Sequence, residues 1–114
     1  MSPHDEFVAG LAERGASPTT VGSYIVYEVE VVGGRFDGQV VRTGVAVSEV
    51  SRWPLVPPHW IHLPDDVRFA RTNTQACGLS GWTGHSRKIA GWGSDVDPTA
   101  GWLAHVRGVI SEAI

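Results

Sequence analysis

The sequence predicts an α+β domain in which an antiparallel β-meander of three to four strands is flanked by an N-terminal and a C-terminal helix. Three observations carry that prediction. Two segments repeat their apolar residues at helical spacing: Asp5–Arg14, and the stretch opened by Asp97-Pro98. Between them, two β-branched runs lie on either side of the turn cluster GGRFDG, Gly33–Gly38. No internal repeat interrupts this order, and 114 residues make one domain, 1–114.

In the first segment Phe7, Val8, Leu11 and Ala12 share one stripe, and Gly15 stops the helix. Ala16–Thr20, with Pro18, is a connector. From Val21 to Val32 (VGSYIVYEVEVV) Tyr27, Val29 and Val31 alternate with Glu28 and Glu30, the pattern of a strand with one face in the core. Gln39–Val50 reads as the second strand, with Gly44 marking a bulge or a close backbone approach.

The stretch RWPLVPPHWIHLP, Arg52–Pro64, follows. Proline fixes φ and lacks an amide donor, so Pro54, Pro57 and Pro58 are expected to hold the chain extended and outside a central ladder. The segment is then either a rigid connector or a fixed platform beside a site. Its end, Trp60–Leu63, reads as a short third strand.

From Pro64 to Ser94 no period survives. Aperiodic stretches of about thirty residues inside compact domains are functional or disordered, and Trp82, Ile89 and Trp92 argue for order. Asp97 is then a good N-cap with Pro98 at the first helical position, and Leu103, Val106, Val109, Ile110 and Ala113 form the apolar face of the last helix. Trp53, Trp60 and Trp102 fall where apolar faces should meet the core. Trp82 and Trp92 flank His85–Arg87, as packing groups or as walls of a cleft. Arg87 is expected to pair with Asp95 or Asp97.

Composition narrows the function classes. The net charge is −3 and the nine Lys and Arg are scattered, which is not the basic stripe of a nucleic-acid module. No run approaches the ~18 apolar residues of a membrane span, and MSPHDEFVAG lacks a signal pattern, so a cytoplasmic protein is expected. The lone cysteine, Cys77, cannot form an internal disulfide and fits a reducing compartment.

Cys77 lies in NTQACGLSGW, a loop of small and polar residues. A lone cysteine is commonly a small buried hydrophobe; these neighbours favour an accessible, reactive thiol. An attacking thiol needs groups that hold or deprotonate it, or that stabilise the oxyanion it creates. Asn73, Thr74, Gln75 and Ser80 are neutral donors nearby, and His85 and Arg87 lie eight and ten positions on. A zinc site on His59, His62, Cys77 and His85 is the competing use of the same groups. On a strand, however, His59 and His62 would point to opposite faces, so no metal is expected. Ser86 lacks the glycine-bracketed elbow of a hydrolase, and the glycines are too dispersed for a phosphate loop, so no cofactor is expected.

The order of these features resembles the ubiquitin-conjugating enzyme superfamily. The shared pattern is a helix, a meander, Trp53-Pro54-Leu55-Val56-Pro57-Pro58, and a cysteine nineteen positions after Pro58. Gly81-Trp82-Thr83-Gly84-His85-Ser86-Arg87, followed by Trp92 and the Asp97-Pro98 helix, is similar to the bacterial stand-alone branch. The resemblance spans roughly Asp5 to Ile114. It implies that Cys77 accepts the C-terminal carboxyl of a ubiquitin-like modifier protein as a thioester from an adenylating activating enzyme. An amine, typically a target-protein lysine, then attacks the thioester, with Asn73 or His85 supporting the oxyanion or the incoming amine. The family's His-Pro-Asn element is absent, and the first helix is short and acidic. A non-catalytic binding module of the same fold, with an inert Cys77 and partner contacts around Trp82 and Trp92, is the alternative.

Overall fold

The computed structural model describes residues 1–93 and 97–114. Helix α1 (Pro3–Glu13) is followed by strands β1 (Thr19–Val21), β2 (Tyr24–Glu30) and β3 (Val40–Ala46) and a 3-10 turn at Val47–Val50. Strands β4 (Trp60–Pro64), β5 (Thr74–Ala76) and β6 (Trp82–Ser86) precede helix α2 (Pro98–Ser111). The strands form one antiparallel sheet in the order β1-β2-β3-β4-β6-β5. The α+β class and the two flanking helices hold, but among the described residues six strands replace the expected three to four.

Each additional strand has a local cause. Gly22, at φ +58°, turns the expected Val21–Val32 strand back on itself, so Val21 pairs with Tyr24. The second strand stops at Ala46, where the chain coils into the 3-10 turn. The stretch after Pro64 contains β5 and β6, and β6 pairs with β4 from Trp60↔Ser86 to Pro64↔Trp82.

Helix α2 starts at the expected Asp97 cap, whereas α1 starts at Pro3, two residues before the expected Asp5. In α1 the Ser2 hydroxyl accepts the Asp5 N–H at 3.1 Å, and Asp5 and Glu6 lie at the positive end of the helix dipole. Phe7 and Leu11 are buried, while Ala12 faces solvent and drops out of the expected stripe. In α2 Asp97 accepts the Ala100 N–H at 3.1 Å. The Asp97 carboxylate also pairs with Arg14, so it is not the partner of Arg87. The other expected partner, Asp95, lies outside the described residues. Arg87 instead donates to Thr72 Oγ1 and to the Ser86 carbonyl, each at 2.8 Å, and its guanidinium covers the Phe69 ring.

Both helices pack on one face of the sheet. Ile25, Tyr27 and Val29 of β2, Val41 and Val45 of β3, and Ile61 and Leu63 of β4 form the core with them. Trp102 is fully buried, and its indole N–H donates to the Tyr27 hydroxyl at 2.8 Å. Burial pushes the Tyr27 phenol well above its ordinary range. The helices approach each other closely at Gly10, where a Cβ would run into Thr99 Oγ1.

The proline-rich segment is not extended throughout. It opens as a turn closed by Val56 N–H donating to the Arg52 carbonyl at 3.1 Å, with a cis Trp53–Pro54 peptide. Trp53 is buried edge-on against Phe7, and Trp92 lies beside it with its indole N–H on the Pro54 carbonyl at 2.9 Å. Trp60 departs from expectation. It is half-buried beside His59 and is not part of the core.

Candidate functional site

The face of the sheet opposite the helices carries a second, smaller packing layer. Side chains alternate along a strand. With Ile61 and Leu63 of β4 in the core, His62 therefore points to the other face. Two glycines flank it in register, Gly44 of β3 and Gly84 of β6. The Trp82 indole reaches over Gly44, within 3.7 Å of where a Cβ would stand. A Cβ on Gly84 would lie 2.9 Å from the His62 ring and 3.0 Å from Gln75 Cγ. The glycines thus make the slot that His62 fills. The Tyr24 ring closes that slot edge-to-face, its centroid 4.9 Å from the imidazole.

His62 is 1% exposed, and neither ring nitrogen has a hydrogen-bond partner among the described residues. Burial lowers its pKa below the ordinary histidine value, with His85 adding to the effect. It therefore stays neutral at pH 7 and acts as an aromatic wedge.

Tyr24 connects this layer to Cys77. The turn from Cys77 to Gly81 joins β5 to β6, closed by Trp82 N–H donating to the Leu79 carbonyl at 3.2 Å. The Gly78 N–H donates to the Tyr24 hydroxyl at 2.8 Å, and a Cβ on Gly78 would meet the Tyr24 ring at 3.1 Å. The Leu79 N–H points at Cys77 Sγ, 3.5 Å away. From the opposite side, Asp65 N–H donates to the Gly81 carbonyl and Thr83 donates to the Asp65 carboxylate. Cys77 itself is a free, half-buried thiol outside the hydrophobic core.

The other expected site residues do not join it. Asn73 sits just before β5, four positions from Cys77, a span of about 13 Å along a strand. It is exposed, and its backbone carbonyl accepts the Ser86 N–H. His85 pairs with Thr74 at the same far end of the hairpin. It faces the core side, with Nδ1 hydrogen-bonded to Thr72 Oγ1 at 3.1 Å and its ring edge-on to Phe69. Burial lowers its pKa, the Arg87 cation lowers it further, and Asp65 opposes them. The structure brings Asn73 and His85 near each other and leaves the sulfur at the other end of the hairpin.

The residues of the zinc alternative are also separated. His59 is exposed and hydrogen-bonded to Ser86 Oγ, His62 and His85 lie on opposite faces, and Cys77 is in the turn. Among the described residues no three His, Cys, Asp or Glu side chains gather where a metal could be held. Nor is any helix among them long and apolar enough to cross a membrane.

Of the residues that shape the site, Tyr24 was not expected there and His62 was considered only as a zinc ligand. Tyr24 lies 54 positions from Gly78, and only the sheet order brings them together. The arrangement holds a partly accessible thiol approached by one backbone N–H, that of Leu79, with no acid or base hydrogen-bonded to it among the described residues. That suits exchange at an activated acyl group and not proton abstraction. No protein-family model, curated protein or solved structure matches the chain.

Proposed function

We propose that Cys77 is an acyl carrier of the ubiquitin-conjugating type. It takes the C-terminal carboxyl of a ubiquitin-like modifier protein as a thioester from an adenylating activating enzyme and hands it to an amine, typically a target lysine. The observation that carries this reading is the state of Cys77. The sulfur is half-buried rather than sealed in the core, in a turn whose ends are fixed in the sheet and whose apex is tied to Tyr24. The order of helix, meander, Trp-Pro-x-x-Pro-Pro segment, cysteine and final helix supports the same reading, as does a single domain with a bacterial-type Trp82–Arg87 stretch.

The chemistry asks little of the protein beyond placement. The Cys77 thiol gives its proton to water, and the thiolate attacks the acyl carbon of the incoming thioester. The bond from that carbon to the departing sulfur breaks, and the departing thiolate takes up a proton. Aminolysis then breaks the Cys77 Sγ–acyl bond, forms an amide and restores the thiol. Thioesters are good acyl donors, so fixed geometry and neutral N–H donors are the main requirement. The reading sets the reaction in the cytoplasm, where an unpaired cysteine stays reduced.

A non-catalytic binding module of the same fold is the second reading. One observation favours it: Asn73 and His85 do not reach the sulfur. Incubation with an adenylating enzyme, its modifier and ATP, followed by a non-reducing gel, separates the two. A reductant-sensitive band carrying one modifier, replaced in Cys77→Ser by a stable ester or by no adduct, is the carrier result. Modifier retained on the protein without a covalent band is the module result. A normal thioester on Cys77→Ser would end the assignment of the sulfur.

A further inference from the structure

The free edge of the sheet leads directly to the sulfur. Among the described residues strand β5 is paired on one side only, by β6, and its three residues are exposed. The phase of that pairing follows from one hydrogen bond, Ser86 N–H to the Asn73 carbonyl at 2.9 Å. Bonded and non-bonded pairs alternate in an antiparallel ladder. With Asn73 and Ser86 a bonded pair, Gln75 and Gly84 are the next one. The N–H and C=O groups of Thr74 and Ala76 therefore turn outward, toward the open edge. The strand carries none of the lysines, prolines or bulges that commonly blunt an exposed edge. The opposite edge, β1, lies at the far side of the sheet from Cys77.

We propose that this edge is the docking strand for the modifier's extended C-terminal tail, which pairs parallel to β5 and ends beside Cys77. The inference rests on reading Cys77 as an acyl carrier and specifies how its substrate is held. Direction follows from chain order. Cys77 comes after Ala76, so a tail that delivers its last carbonyl carbon to Sγ must run the same way as β5. In a parallel ladder Thr74 and Ala76 each donate an N–H to the tail and accept one from it. The short side chain of Ala76 leaves the last tail residues unobstructed next to the sulfur. A second copy of this chain is a poor occupant, because a three-residue edge offers far less than the ~1,200 Å² of a stable interface. A tail that must be released after each transfer needs only such a brief hold. Acylation itself is the exchange described above, with one thioester formed, one broken and one thiol released.

Short peptide thioesters test this without an activating enzyme. The probes are an acetylated pentapeptide, Val-Thr-Val-Thr-Gly, and acetylglycine, each as its mercaptoethanesulfonate thioester. The pentapeptide should acylate Cys77 about tenfold faster than acetylglycine, the scale that a few added backbone hydrogen bonds supply. Ala76→Pro deletes one outward donor and keeps every bond to β6, since proline is tolerated where an edge N–H faces solvent. It should bring the ratio of the pentapeptide rate to the acetylglycine rate, both measured on this variant, down to about one. Thr74→Pro, which deletes the other outward donor, should do the same and serves if the first variant folds poorly. Equal rates for the two probes, or a pentapeptide advantage that survives both substitutions, overturn the docking while acylation by acetylglycine keeps the carrier reading. Failure of both probes to acylate Cys77 removes the carrier reading and the docking with it. A dimer that Ala76→Pro dissociates assigns the edge to a second copy and likewise overturns the proposal.

Discussion

The hydroxyl of Tyr24, on β2, accepts the backbone N–H of Gly78, the residue after Cys77, at 2.8 Å. This contact crosses the face of β3, β4 and β6 to reach the turn. Tyr24→Phe keeps the ring against His62 and removes the acceptor. The expected loss of stability is about 0.5–1.5 kcal/mol, the net value of one hydrogen bond. The half-buried sulfur should react several-fold faster with iodoacetamide as the turn loosens. An unchanged alkylation rate would show that the turn holds its shape without Tyr24.

Gly84 is fixed by what stands over it. An added methyl at 2.9 Å from the His62 ring and 3.0 Å from Gln75 Cγ overfills the slot. Gly84→Ala should destabilise the protein by about 1–3 kcal/mol in urea melts. In a His62→Ala background the same substitution should cost much less, because the two residues share one space. Equal costs in both backgrounds would place the strain against Gln75 or in the backbone and not against His62.

Acid should weaken the fold, and the sign follows from the histidines. His62, His85 and His105 all have their pKa values lowered, chiefly by burial, so the folded chain binds fewer protons than the unfolded chain once the pH falls below the unfolded value of about 6.5. Their stabilising contribution is present above that pH and is lost as the pH falls toward the folded pKa values. His62→Phe should flatten the decline measured between pH 6.5 and 5 by up to about 1.4 kcal/mol per pH unit, the contribution of one proton. A slope that matches the parent would place the titration elsewhere.

Two helical glycines should respond in opposite directions to the same change. At Gly108, in α2, an added Cβ meets nothing within 4 Å among the described residues, so Gly108→Ala should stabilise by roughly 0.5–1 kcal/mol through helix propensity. At Gly10 the methyl strikes Thr99 where α1 and α2 cross, and overpacking of about 1–3 kcal/mol outweighs the same propensity gain. Thermal melts of the two variants check the pair.

The helices were legible from apolar spacing, Phe7 and Leu11 in α1 and Leu103 and Val106 in α2, and at α2 from the Asp97-Pro98 cap; the Ser2-Pro3 start of α1 was not expected. The β1–β2 hairpin was equally visible in principle, since Gly22-Ser23 between two β-branched runs is a two-residue turn pair. Strand β6 gave no such pattern. Its inward positions are Thr83 and His85, and its outward ones include the Gly84 that His62 demands, so hydrophobic alternation is missing. Cys77 stood out as the lone thiol in a loop of small residues. Its distance from Asn73 and His85 depends on the β5–β6 register, and its link to Tyr24 on strand order, neither of which any local window contains.

Because β6 sits between β4 and β5, the sulfur's hairpin is anchored in the sheet through β6 and is not a free arm, although β5 itself lies at the edge. Swinging the thiol toward a partner would tear open the ladder from Trp60 to Pro64. Any change of reactivity on complex formation must therefore come from small twists of the five residues from Cys77 to Gly81, with the partner travelling the remaining distance.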